Sequence, residues 1–187
     1  MDMEKLEQAA RLIIEATGAD PNREGLAETP RRFAEMIEEQ FAYEAVSNEA
    51  IAEEFGKTFD SPEKDLVVVG DIPIFSHCEH HIALMYNMKV SVGYIPNRRV
   101  LGLSKIARIA DAVSKRFQIQ ERIGKDILDV MQRVTGSEDI IVLVEGEHSC
   151  MTARGIRKPG TVTRTIAASG VFKESSDARK EFLDTVK

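Results

Sequence analysis

The hydrophobic period of this chain changes repeatedly along its length, and that succession limits the folds open to it. Leu6, Ala9, Ala10, Ile13 and Ile14 recur at helical spacing, and Gly18 ends the run. Thr29 reads as the N-cap of a second helix, with Pro30 at its first position and Phe33, Met36, Ile37 and Phe41 on one side. Residues 44–64 are polar, a connecting region with room for one short helix. The period then becomes that of strands. Residues 66–69 and 72–75 are short β-branched runs, and residues 88–95 alternate around Val90 and Val92. Ser104 reads as the cap of a helix carrying Ile106, Ile109, Ala110 and Val113. A further helix over 121–134 places Ile123, Ile127, Leu128 and Met131 inward and stops at Gly136. Two more strands follow over 139–145 and 162–172, and Ser175 or Ser176 caps a last short helix.

The main body therefore runs strand, strand, helix, helix, strand, strand after an N-terminal helical arm. That order predicts an α+β domain: an antiparallel four-stranded sheet covered on one face by two helices. The helical region spans 1–62 and the sheet domain 63–187, one structural unit in practice. Such a sheet has two edges, and pairing with other copies of the chain would remove them.

Charge excludes some partners. The net charge of −6 and pI near 5.3 argue against a nucleic-acid binder held by phosphate contacts. No run approaches the ~18 apolar residues of a membrane span, and the N-terminal residues lack the pattern of a secretory signal. A cytoplasmic protein is expected, and there two cysteines read as thiols, metal ligands or a catalytic group.

Both cysteines and all four histidines fall in two short segments, Ser76-His77-Cys78-Glu79-His80-His81 and His148-Ser149-Cys150. Cys78 and His81 are spaced so that one tight turn can present a thiolate and an imidazole to a single ion, and Cys150 could complete a set of three. Three protein ligands leave the open position of a catalytic zinc, whose bound water has a pKa lowered towards ~7. His80 and His148 would then be imidazoles beside the metal, suited to moving protons. A Cys78–Cys150 disulfide, a closed structural zinc site and unconnected thiols are the competing readings.

Cations gather at helix starts. Ser104-Lys105, with Arg108 one turn on, could converge on an anion with the helix dipole, and Arg154 and Arg32 lie near Cys150 and Thr29 in sequence. Each alone is more often a solvated charge. In Gln118-Ile119-Gln120-Glu121, Glu121 reads equally as a first-turn acid favoured by the dipole or as a carboxylate accepting the paired N–H groups of a guanine.

Taken in order, these motifs resemble GTP cyclohydrolase I. The resemblance lies in Arg23-Glu24-Gly25-Leu26, Thr29-Pro30-x-Arg32, Ser76-x-Cys78-Glu79-His80-His81, Tyr94-Ile95-Pro96, Gly102-Leu103-Ser104-Lys105-Ile106-x-Arg108, Gln118-x-Gln120-Glu121-Arg122, His148-x-Cys150-Met151 and Arg154-Gly155, over about residues 20 to 185. It implies a tunnelling fold whose sheets join into barrels, with two pentameric rings stacked as a homodecamer and active sites at subunit interfaces. It implies zinc held by Cys78, His81 and Cys150, and guanine held by Glu121 with Gln120 beside it. Ribose and triphosphate would be held by Ser104, Lys105, Arg108, Arg154 and Arg32 from more than one subunit. His80 and His148 would be the acid–base groups.

The implied reaction is zinc-dependent attack of water on C8 of GTP, release of formate, and rearrangement to 7,8-dihydroneopterin triphosphate without an organic cofactor. A sister tunnelling-fold enzyme and a non-catalytic, zinc-stabilised nucleotide-binding oligomer are the alternatives. The chain departs from the family pattern in one extra residue between His81 and Tyr94, where Tyr86-Asn87-Met88-Lys89 predicts a different hairpin turn, and in Glu35, where many bacterial members carry Lys.

Overall fold

The computed structural model describes residues 1–187 and contains two compact units, Met1–Ala42 and Tyr43–Lys187. In the first, α1 (Met3–Ala16) packs against α2 (Thr29–Gln40). Asp2 caps α1 by accepting from Lys5 N. α2 begins one residue earlier than its sequence suggests. Glu28 is its N-cap, and Thr29 is already helical with Pro30 behind it.

The second unit comprises α3 (Asn48–Phe55), β1 (Thr58–Asp60), β2 (Val67–Cys78), β3 (Ala83–Tyr94), β4 (Arg99–Leu101), α4 (Leu103–Ser114), β5 (Phe117–Gln118), α5 (Gln120–Thr135), β6 (Ile140–His148), α6 (Ser149–Thr152), β7 (Thr163–Ala168), α7 (Val171–Glu174) and α8 (Ser176–Thr185). The expected ββααββ order is present in β2, β3, α4, α5, β6 and β7, whose four strands pair antiparallel in that sequence. A short fifth strand, β5, adds itself parallel to the end of β2, and β1 pairs with β4 as a separate ribbon.

Both faces of the sheet are covered, unequally. Ile140, Val142 and Val144 of β6 join Met85, Met88, Val90 and Val92 of β3 under α3, α4 and α5. Ile141 and Leu143 point the other way, onto Phe172 of α7 and Phe182 of α8. This two-sided burial is why β6 reads as an unbroken apolar run rather than an alternating one.

Two differences from the sequence reading have local causes. The runs at 66–69 and 72–75 belong to one strand, because Asp71 adopts a φ of 54° and a bulge carries β2 past Gly70. Likewise the segment from Cys78 to Asn87 is mostly strand, not connection. Asn87 does take the left-handed conformation (φ 48°), yet it does so within β3, where the register against β6 shifts between Tyr86 and Lys89. The cap of α4 is Gly102 rather than Ser104, which lies inside the helix. α5 closes as expected on Gly136 (φ 66°).

Candidate metal and nucleotide site

The site grows from the end of β2. After Cys78 the chain turns back through Glu79–Ile82, with His81 N donating to Cys78 O at 3.3 Å. β3 pairs with β6 so that Met85 faces His148, which brings Ser149-Cys150 alongside the turn. The ligand atoms of Cys78, His81 and Cys150 all lie within 4.8 Å of one another. Zinc–sulfur and zinc–nitrogen bonds of about 2.0–2.3 Å place tetrahedral ligands roughly 3.3–3.8 Å apart, so small side-chain rotations suffice to close the set on an ion. Both cysteines are free, which removes the disulfide reading for this structure. No fourth carboxylate, thiol or imidazole belongs to the group, and three soft-to-borderline donors with an open position suit a catalytic metal.

The protons around the group are constrained. Burial raises the Cys150 thiol above its ordinary value, helped by the neighbouring Cys78. Arg154 Nη1 lies 2.7 Å from His81 Nε2. A guanidinium only donates, so Nε2 is here the accepting nitrogen, and Arg154 must release that lone pair before His81 can ligate a metal through it. His80 Nδ1 lies 3.5 Å from Cys78 Sγ.

Gln120 controls the other imidazole. Buried at 1% exposure, it donates through Nε2 to Val144 O at 2.9 Å and Thr163 O at 3.0 Å. With both N–H groups taken, the atom facing His148 Nε2 at 2.8 Å is the acceptor Oε1. His148 Nε2 therefore bears hydrogen and Nδ1 is left to exchange protons. Burial holds this imidazole below its ordinary pKa, opposed by the Glu121 carboxylate nearby, so the neutral base is favoured. The Gln120 amide is thus shared between two strand carbonyls and His148. Glu121 itself is exposed in the first turn of α5.

The structure divides the other anticipated residues. Arg154 belongs to the metal end, whereas Ser104 and Lys105 do not. α4 starts beside Leu101, whose N–H donates to Tyr94 Oη at 3.0 Å, and Tyr94 is the far end of β3 from Met85 and His148. At ~3.3 Å per residue, that separation along β3 is roughly 30 Å. Ser104 and Arg108 are exposed, and the Lys105 ammonium rests 5.8 Å above the Phe55 ring. Arg32 is exposed on α2, in the first unit, where Glu35 accepts from Arg31 at 2.5 Å.

Sequence reasoning assigned no role to Gln118, Glu79 or Arg122, although all three stand in the quoted motifs. Gln118 is fully buried and donates to Val113 O and Asp126 Oδ2, each at 3.1 Å. Arg122 grips Glu79 with two hydrogen bonds of 2.8 and 3.1 Å. The only available signal was their position between assigned neighbours.

The GTP cyclohydrolase I family profile matches residues 6–187. GTP cyclohydrolase 1 of Clostridium acetobutylicum is 57% identical over 178 residues, covering 92% of this chain and 91% of that protein. GTP cyclohydrolase 1 of Clostridium beijerinckii is 53% identical, covering 98% and 96%. Among solved structures, the apo archaeosine synthase QueF-Like matches with a TM-score of 0.45 and 21% identity, over 59% of this chain and 96% of that one.

Proposed function

The chain belongs to the GTP cyclohydrolase I family, and from that premise we propose that it hydrolyses GTP at C8 of the guanine, releases formate and yields 7,8-dihydroneopterin triphosphate in a zinc-dependent reaction. The observation that carries this reading is the Cys78–His81–Cys150 group set beside the Gln120-held His148.

When bound there, zinc supplies Lewis-acid activation of water at neutral pH. The chain's own residues do the rest. The Glu121 carboxylate accepts hydrogen bonds from guanine N1–H and the 2-amino group. His148 moves a proton through Nδ1, because Gln120 keeps hydrogen on Nε2. His80, beside Cys78, is the second proton carrier. Arg154 meets the anionic part of the substrate.

Ser104 and Lys105 open α4 beside the end of β3 opposite the metal group, which supports a site completed by a second copy whose Ser104, Lys105 and Arg108 hold ribose and triphosphate. The unpaired outer edge of β7 and most of that of β2 support sheets joined edge to edge. On this reading the protein is a homo-oligomer, a decamer of two pentameric rings, and works in the cytoplasm. Arg32 is proposed to contact phosphate in that assembly.

The test is turnover of GTP by the purified, zinc-loaded protein, followed as formate and as the pterin made fluorescent by oxidation. Both products should appear together and vanish with a chelator. Metal-replete, oligomeric protein yielding neither product would refute the reading.

A further inference from the structure

The turn that carries the metal ligands and the helix start that carries Glu121 are joined by more than the sheet. β5 pairs with the last residues of β2, His77 with Phe117 and Cys78 with Gln118. Glu79 N then donates to Gln118 O at 2.9 Å, extending the pairing into the turn. Two residues beyond β5, α5 opens with Gln120, Glu121 and Arg122. Arg122 Nη1 and Nη2 reach back to Glu79 Oε2 and Oε1 at 2.8 and 3.1 Å, and Nη1 also donates to Phe117 O at 3.3 Å. The guanidinium thus closes a loop that runs through the metal turn, β5 and the first turn of α5. The backbone of Glu121, between Gln120 and Arg122, is thereby tied to the turn that follows Cys78.

An exposed ion pair contributes little to stability as a rule, and side-chain exposures of 42% for Arg122 and 34% for Glu79 place this one near the surface. A bidentate fork on a carboxylate is nevertheless the geometry that fixes orientation best, and Lys cannot reproduce it. Neither residue belongs to the metal group.

We propose that Glu79 and Arg122 act as one positioning clamp, which sets the placement of the guanine-holding Glu121 against the Cys78–His81–Cys150 centre and so brings the base's reacting carbon within reach of that centre. The inference rests on the function proposed above, since it assigns Glu121 to the base. Misplacement by about 1 Å can lower a rate by ~100-fold while binding persists, so the clamp acts on the chemical step rather than on affinity.

The experiment compares wild type with Glu79→Gln, Arg122→Lys, Arg122→Met and the double variant Glu79→Gln/Arg122→Met. In each, kcat and KM for GTP, bound metal and thermal unfolding are measured. The change that GTP produces in the visible spectrum of the cobalt-loaded protein is recorded as a readout independent of turnover. The expected result is a kcat lowered ~10- to 100-fold in every variant, with KM, metal content and unfolding temperature little changed. The double variant should be no worse than the poorer single one, because the pair works as a unit. The cobalt response to GTP should shrink in all four. Single variants retaining wild-type kcat, losses that multiply in the double variant, or losses that track metal release or unfolding would each overturn the clamp alone. A wild type that neither turns over GTP nor shows the cobalt response would overturn the functional reading and the clamp with it.

Discussion

His148 shows how a single contact can decide which nitrogen of an imidazole bears hydrogen. Its Nε2 meets an acceptor that cannot rotate, because the Gln120 amide is held by the carbonyls of two strands, β6 and the start of β7. Replacing His148 or His80 with Ala should lower turnover by ~100-fold or more while metal content and nucleotide affinity stay near wild type. Calorimetric GTP binding set against formate release separates these quantities, and full activity in either variant would remove that residue from acid–base chemistry. Tyr94 offers a prediction about stability rather than reaction. Its fully buried hydroxyl accepts from Leu101 N, so Tyr94→Phe leaves that N–H without a partner. The change should cost about 1–3 kcal/mol, read as a lower urea midpoint with an unchanged slope. A midpoint equal to wild type would mean that another acceptor reaches Leu101.

At the scale of elements, the sheet's second face depends on one backbone position. Gly170 has a φ of 51°, and a Cβ there would stand 2.2 Å from Asp139 Oδ1 and 2.6 Å from Glu138 O. The same carboxylate accepts from Val171 N at 2.7 Å, which starts α7. Gly170→Ala must therefore disturb the join between β7 and the α7–α8 segment that seats Phe172 and Phe182 on Ile141 and Leu143. A destabilisation of about 1–3 kcal/mol is expected, with faster amide exchange concentrated in α8. Uniform exchange rates across the chain would instead indicate global loosening. Much of this layer was legible beforehand. The helical runs, the Gly136 stop and a serine cap at 175 or 176 follow from spacing and side-chain chemistry within a few residues, and the structure selects Ser175, whose Oγ accepts from Ala178 N at 3.3 Å. Strand lengths were not legible, because the bulges at Asp71 and near Asn87 are set by pairing between distant segments.

For the whole molecule, the expectation is a composite site. Cys150→Ser removes one of the three candidate metal ligands, and the Lys105→Ala/Arg108→Ala variant removes two cations of α4. Each should be nearly inactive yet folded and oligomeric. Subunits of the two, dissociated, mixed and reassembled, should regain part of the wild-type rate, since some sites then combine an intact metal end with intact cations. Activity that never exceeds that of the separate variants would place the whole site within one chain. Light scattering on the same samples reads the assembly, for which about ten chains are expected.

What the sequence alone determined was mostly short-range. Cys78 and His81 are candidates for one ion because a turn brings together residues three apart, and the crowding of rare histidines and cysteines marks chemistry whatever the fold. The order of strands and helices likewise follows from local periodicity. Only the tertiary structure decided that Cys150 closes on that turn, through the pairing of β3 with β6. It also decided that Gln120 turns to His148, that Arg122 grips Glu79, and that Lys105 stands far from the metal end. Each of these depends on strand register and on the direction of a side chain across the sheet, and a register is a relation between distant segments that no local pattern encodes.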